Sequence, residues 1–403
     1  MLLSILLSPR ISEKEPRPKM KRKLTRGICC SLILAVIFTA FSFTFAAADR
    51  AEDDFFDWKN MKQLEFITPW SYNDKNPYPY IIGLDARGGI RVCDIYNDSF
   101  ADVTPSLKAM RGVRSFIADY SYWDEGLYVA AVKKNGTVSV AWPDTVKDER
   151  LDAVRTDAAR LKNVVGLTQG TPGSGFTSGL IAVLADGRVA AVGGELNSDM
   201  TAWRGIKNVY SMRNGNYIGL REDGTCVFSG ECFTGEKTPT YPLEFDFSAW
   251  EDIADVYPTP CPWGILVYAL TEDGRLINWA SEVIAEDVVS VHFDDMTYHL
   301  YYVCKDGRCG EYCSEEGREI SNRYEISSVG ARGMAAGLDG ELVPVSSGDE
   351  GAYTYGVYTD FDCREEDDAK ISGVIYRIYG DYRKYIVACE DGKYRVAMEN
   401  ELH

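Results

Sequence analysis

Eight copies of one short phrase run the length of this 403-residue chain. Fixed-period self-similarity constrains the fold more than any single residue does. Each copy opens on apolar anchors, as in Trp203-Arg-Gly-Ile206-Lys-Asn-Val209 and Trp250-Glu-Asp-Ile253-Ala-Asp-Val256. An apolar run follows, broken by a glycine-bearing turn: Lys134-Asn135-Gly136-Thr137, Ala185-Asp186-Gly187-Arg188, Glu222-Asp223-Gly224-Thr225, Glu272-Asp273-Gly274-Arg275. The closing anchor residues are Leu64, Val113, Val164, Val209, Val256, Val289, Val329 and Val374. They recur about every 44 residues, which suits a propeller blade of four short strands, roughly 40–50 residues long.

The turn glycines are Gly89, Gly136, Gly187, Gly224, Gly274, Gly307, Gly340 and Gly392, and all but Gly89 follow Asn or Asp. Asn-Gly and Asp-Gly predict two-residue type I′ hairpins, with positive φ at both central residues. Residues 127–132 (Leu-Tyr-Val-Ala-Ala-Val) are apolar on both faces, the pattern of a strand covered on both sides. No segment beyond the N-terminal region holds a helical period over 11 or more residues. The expected fold is all-β: a β-propeller with eight sequence repeats, or seven blades if one short repeat is absorbed by a neighbour.

The phrase resembles the repeat of the regulator of chromosome condensation family. Residues 203–209 followed by Asn216-Tyr-Ile-Gly-Leu-Arg-Glu-Asp223-Gly224-Thr225-Cys-Val-Phe228 carry the best match. The resemblance covers residues 55–398 in degenerate copies and implies a propeller of usually seven blades.

The N-terminal segment bounds location. Residues 20–27 are basic, residues 28–45 are almost wholly apolar, and Ala46-Ala47-Ala48-Asp49 follows. That order is a secretory signal peptide with Met20 as a candidate start. The apolar run is also long enough to remain as an N-terminal membrane anchor. The expected domains are therefore a 1–48 extension and a single propeller over 49–403, placed extracytoplasmically. Residues 1–48 carry eight Lys/Arg and two Glu, leaving 35 basic and 59 acidic side chains and a net charge of −24 beyond them. Such a surface repels phosphate backbones, so a nucleic-acid partner is excluded. Membrane contact is expected only through the N-terminal segment.

The catalytic inventory is thin. His292 and His299 flank Asp294-Asp295, but no Cys or second carboxylate pair joins them at ligand spacing. No metal, cofactor or catalytic residue is assigned. Nine cysteines lie beyond residue 48. Cys304-Lys-Asp306-Gly307-Arg-Cys309 places its two sulfurs opposite each other across a two-residue turn, within disulfide range. Cys304–Cys309 is accordingly the disulfide candidate, with buried thiols as the alternative.

Aromatics carry the positive signal. Trp70, Tyr72 and Tyr78, then Tyr122 and Trp123, fall between anchor and hairpin strand in successive copies. Mixed with Asn and Asp, they suit recognition of a protein or glycan by stacking and hydrogen bonding. The expected role is a non-enzymatic binding module at the cell envelope. The alternatives are a polysaccharide hydrolase or lyase using face carboxylates, and a membrane-anchored sensor.

Overall fold

The computed structural model describes residues 4–6, 55–67, 80–94, 103–121, 126–170, 176, 178–212, 215–230, 247–261, 264–294, 299–313, 318–323, 326–329, 334–337, 342–344, 354–358, 369–377 and 384–400. These residues form eight antiparallel sheets. Sheet 1 holds Gln63–Ile67, Tyr80–Leu84 and Ile90–Asp94, with Ser4–Leu6 added beside the first of these. Sheet 2 is Val113–Ser121, Gly126–Lys133 and Val138–Ala141; sheet 3 is Val164–Gln169, Leu180–Leu184 and Val189–Val192. Sheet 4 is Ile206–Met212, Asn216–Arg221 and Cys226–Ser229. Sheet 5 is Ile253–Cys261, Gly264–Thr271, Leu276–Asn278 and Val283–Ala285. Sheet 6 is Val288–Asp294, His299–Cys304, Cys309–Cys313 and Arg318–Arg323. Sheet 7 is Ile326–Val329, Met334–Gly337 and Leu342–Pro344. Sheet 8 is Ile371–Arg377, Lys384–Cys389 and Tyr394–Asn400, with Thr354–Tyr358 on its outer edge.

The hairpin turns differ from the type I′ expectation. Gly136 donates to the Lys133 carbonyl at 2.8 Å, and Lys133 donates to the Thr137 carbonyl at 2.8 Å. Only the glycine has positive φ, 77° at Gly136. This is a three-residue loop, a type I turn closed by a glycine bulge. The Asn or Asp earns its place through its side chain. Asn135 Oδ1 accepts from the Thr137 amide, and Asp186, Asp223, Asp306 and Asp391 do the same two residues on. In the first copy the positive φ falls at Gly88, not Gly89.

Six of the described turn glycines also dock the next sheet. The carbonyls of Gly88, Gly136, Gly187, Gly224 and Gly274 accept from the amides of Val113, Val164, Ile206, Ile253 and Val288 at 2.7–2.9 Å. The residues just before those donors, Gly112, Asn163, Gly205, Asp252 and Asp287, all have positive φ. Gly392 repeats the device between the last sheet and the first, accepting from Asn60 at 2.9 Å.

The anchors obey one rule. In sheets 2 to 8 the first strand shifts register between the first and third residues, as at Val113/Ser115 and Ile206/Asn208. Alternation alone sends residues i and i+3 to opposite faces of a strand. The bulge cancels that, so Ile206 and Val209 enter one cluster, as do Ile253 and Val256. The true equivalents in sheets 2 and 3 are Val113/Phe116 and Val164/Leu167, so the sequence alignment there slips by three residues. Val289 is a correction of the same kind: it is the bulged residue and is 57 % exposed, while Val288 and Val291 pack inward.

Eight apolar clusters lie between neighbouring sheets. Val113 and Phe116 of sheet 2 pack on Ile82 and Val92 of sheet 1, and Leu64 and Phe66 of sheet 1 pack on Ile386 and Val396 of sheet 8. Among the described residues no sheet closes on itself; the first and last sheets meet by face-to-face packing. Sheet 8 takes its outer strand from Thr354–Tyr358, paired with Tyr394–Asn400. Residues Phe55–Asp57 form a 3-10 turn, with Phe55 stacked on Tyr394 at 5.2 Å.

One helix was unexpected. Glu149–Arg160 is α-helical, capped by Asp148, and buries only Leu151, Val154 and Ala158. A stripe of three buried residues among nine polar or small neighbours hides the period. A second short helix spans Thr104–Ala109.

The turn aspartates tie stability to pH. Arg395 donates to both carboxylate oxygens of Asp391 at 3.0 Å and holds that acid well below its usual range. Arg188 lowers Asp186 and Arg308 lowers Asp306 by side-chain hydrogen bonds, and the Thr225 hydroxyl lowers Asp223. A carboxylate depressed in the folded state contributes stability that is full above its unfolded value and is lost as pH falls through the folded value. The urea midpoint is expected to fall between about pH 5 and pH 2, less steeply in Asp391→Asn. A midpoint flat across that range contradicts the assignment.

Candidate functional site

Strand register gives the ring two unlike ends. The glycine turns, which join second to third strands, lie at one end with the inter-sheet docking bonds. The connections from first to second strand leave at the other end, after Ile67, Ser121, Gln169, Met212, Cys261, Asp294, Val329 and Arg377. Trp70, Tyr72 and Tyr78 lie between Ile67 and Tyr80, and Tyr122 and Trp123 between Ser121 and Gly126. All five fall outside the described residues, but the strand ends flanking them share this end of the ring.

The most developed polar cluster among the described residues is at the same end of sheet 6. Glu311 is 3 % exposed, directly opposite Tyr301, whose hydroxyl donates to its Oε1 at 3.0 Å. Nδ1 of His299 is bonded to the same Oε1. His299 itself is a quarter exposed, so the ring reaches from a buried carboxylate toward solvent. Sequence reasoning named His299 but missed Glu311 and Tyr301. The signal was the turn: a three-residue loop pairs Val303 with Cys309 and Tyr301 with Glu311, whereas a two-residue loop sends Glu311 to the other face.

That register also removes the disulfide candidate. Cys304 donates its amide to the Arg308 carbonyl at 2.7 Å, so Cys309 falls opposite Val303. Cys304 packs with Leu300 and Tyr302 against sheet 5, and Cys309 packs with Tyr301 and Val303 against sheet 7. The two sulfurs lie on opposite faces and form no bridge. Among the described residues Cys93, Cys304, Cys309 and Cys389 are buried, and partial burial pushes the Cys226 thiol up to about 12.

Other buried polar groups bind sheet to sheet. The Gln63 amide donates to the Phe116 carbonyl at 2.6 Å and to Glu65 at 3.0 Å, and its oxygen accepts from the Phe116 amide at 3.2 Å. Glu65 is wholly buried and Asp119 nearly so. The Tyr210 hydroxyl donates to Asp255 across sheets 4 and 5 at 2.5 Å, and burial, reinforced by that carboxylate, raises the phenol well above its ordinary value. Ser211 and Tyr217 both donate to the Gly170 carbonyl of sheet 3, at 2.9 and 3.2 Å. Glu65, Asp119 and Glu311 belong to three different sheets. No group of three His, Cys, Asp or Glu stands in a metal-holding arrangement among the described residues.

No family model and no curated protein matches the chain. Among solved structures it is similar to BBS1N in complex with ARL6DN, at 10 % identity over 72 % of this chain and 94 % of that one, with a TM-score of 0.36. It is also similar to the C-terminal WD40 domain of Sif2 (11 % identity, 85 % and 94 % covered, TM-score 0.39). Saccharomyces cerevisiae Sqt1 stands at 11 % identity, 80 % and 90 % covered, TM-score 0.36. Likeness at such scores decides neither shape nor ligand; the sheets and their packing describe this chain as all-β, with antiparallel sheets arranged in a cycle.

Proposed function

We propose that residues 49–403 form one eight-bladed β-propeller, a non-enzymatic binding module that takes a protein or glycan on the end where first strands stop. The observation that carries the reading is the shared register: eight successive sheets send the same connection to the same end. Loops held by a rigid scaffold are where binding residues concentrate. Trp70, Tyr72, Tyr78, Tyr122 and Trp123 are the residues assigned to that surface, as stacking groups with polar handles. Export rests on the basic, apolar and small-residue order of residues 20–48. Signal removal after residue 48 also removes Ser4–Leu6 and leaves sheet 1 with three strands, like sheets 2, 3 and 4.

The test is capture of envelope proteins or glycans by the chain beginning at Asp49, beside Trp70→Ala and Trp123→Ala. Both substitutions are expected to weaken retention by roughly 10-fold or more while leaving circular dichroism unchanged, as for truncated aromatic hot spots. Retention indifferent to both changes overturns the aromatic surface. A mature N-terminus near residue 49 in the medium supports export, and an intact N-terminus in the membrane fraction supports the anchored sensor instead.

A further inference from the structure

We propose that the glycine-turn end of sheets 1 and 2 binds an anionic polysaccharide along a row of Lys and Arg that crosses the joints between sheets. Among the described residues of 60–143, every exposed charged side chain is a cation: Lys62, Arg87, Lys108, Arg111, Arg114 and Lys134. The acids of that span whose side chains are described are not exposed. Glu65 and Asp119 are buried, and Asp85 turns its Oδ1 back onto the Arg87 and Gly89 amides at 2.8 and 2.9 Å. Across the ring the sign reverses. The described exposed charges of residues 222–287 are all acidic except Arg275, which pairs with Asp273 at 2.9 Å. In a chain with a net charge of −18, a sector carrying cations alone runs against the composition.

The hydrogen bonds that dock one sheet on the next also align these cations. The Lys62 amide donates to the Leu84 carbonyl at 2.8 Å, beside the turn that carries Arg87. The Gly88 carbonyl takes the Val113 amide, between Arg111 and Arg114, and the Lys134 amide donates to the Gly112 carbonyl at 2.7 Å. The Gly136 carbonyl takes the Val164 amide, two residues after the exposed Lys162. Side chains follow the same line. The Lys134 ammonium donates to the Arg87 carbonyl at 2.9 Å, and the Arg111 guanidinium donates to the carbonyls of Lys108 and Met110. Backbone carbonyls thus hold together like charges that repel one another.

What the sector lacks selects the partner. The exposed large apolar residues among the described ones are Val283 and Val289, both on the acidic side. An interface between folded proteins needs an apolar core depleted in charge, membrane insertion needs apolar groups, and single-stranded nucleic acid needs aromatic platforms. A polyanion needs only cations that displace its counterions. Screening over about 8 Å at physiological salt lets such a partner respond to this sector and not to the acidic remainder of the ring. The glycan class rests on the exported module proposed above, since an exported chain meets polysaccharide and not nucleic acid.

The test is retention of the full chain on immobilised polygalacturonate at about 50 and 200 mM salt. Affinity is expected to fall roughly 100–1,000-fold between the two, the slope for about five to seven ion contacts on a single-stranded polyanion. Lys62→Glu/Arg87→Glu/Lys162→Glu should cut affinity at the lower salt by at least about 100-fold with circular dichroism unchanged. Lys305→Glu/Lys370→Glu, outside the sector, should leave it within about threefold. Trp70→Ala and Trp123→Ala should not change it. Loss in those two but not in the triple variant places the glycan on the loop end, which overturns this inference and supports the function proposed above. No binding at the lower salt, or tighter retention on duplex DNA or phosphatidylglycerol vesicles, also overturns it. Should the triple variant fail to fold, acetylation of the unsubstituted chain decides. Polygalacturonate should slow the reaction at Lys62, Lys134 and Lys162 but not at Lys305 and Lys370, and equal rates at all five overturn the sector.

Discussion

Gly136→Ala is expected to cost roughly 2–5 kcal/mol of stability, far more than a surface glycine substitution. Gly136 sits at φ 77°. A Cβ there comes within 2.8 Å of Asn163 Cα and 2.9 Å of its nitrogen, backbone atoms of the next sheet. Neither can yield, because the Gly136 carbonyl holds the Val164 amide at 2.9 Å. The cost thus has two parts, a left-handed backbone and a steric conflict. Gly112→Ala separates them. Its φ is 66°, yet an added Cβ meets nothing within 4 Å, so only the backbone part, roughly 1–2 kcal/mol, is expected. Urea unfolding of the two variants checks the difference. Equal losses would mean that the turn glycines serve their own hairpins and not the joint between sheets.

Trp58→Ala is expected to cost roughly 3–5 kcal/mol, the range for deleting a large buried aromatic side chain. Trp58 is completely buried, edge-on to Phe55 at 5.4 Å, and Phe55 stacks on Tyr394 of sheet 8. Its ring lies against Gly83, where a Cβ would come within 2.5 Å of Cζ3. Trp203 lies against Gly219 in the same way, which explains a glycine in mid-strand at both places. Trp58 belongs to the joint between first and last sheets, so its loss should also speed amide exchange across Tyr394–Asn400. Exchange unchanged there, with stability lowered, would confine Trp58 to sheet 1.

The repeat was legible because its signals are local: a glycine turn, an Ile-x-x-Val spacing, and apolar strands between them. Register was not, because Asn-Gly and Asp-Gly fit both a two-residue loop and a type I turn with a glycine bulge. That single residue decides which face Glu311 and Cys309 occupy, and so exchanges an expected disulfide for a His299–Glu311–Tyr301 cluster. Anchor phase was ambiguous for a related reason. A bulge makes two apolar positions three apart equivalent in burial, so Val113 and Val164 match the first anchor of the pair while Leu64 and Val209 match the second. The outer strand of sheet 8 depends on pairing Thr354–Tyr358 with a strand some forty residues later, which no local pattern announces.

Closure of the cycle is the central structural claim, since the proposed binding end requires that the eight sheets hold one another. Lys59 pairs with Lys393 in an isolated antiparallel bridge between the first and last sheets. Opposed positions of that kind bring Cα atoms to about 4.5–5.5 Å, inside the disulfide window. Lys59→Cys/Lys393→Cys should therefore form an intramolecular bond under mild oxidation. Peptide mapping should join the two segments in a monomer that is stabilised by several kcal/mol, on the order expected for closing so long a loop. Failure to form that bond in the folded chain, or its appearance only between molecules, would contradict ring closure.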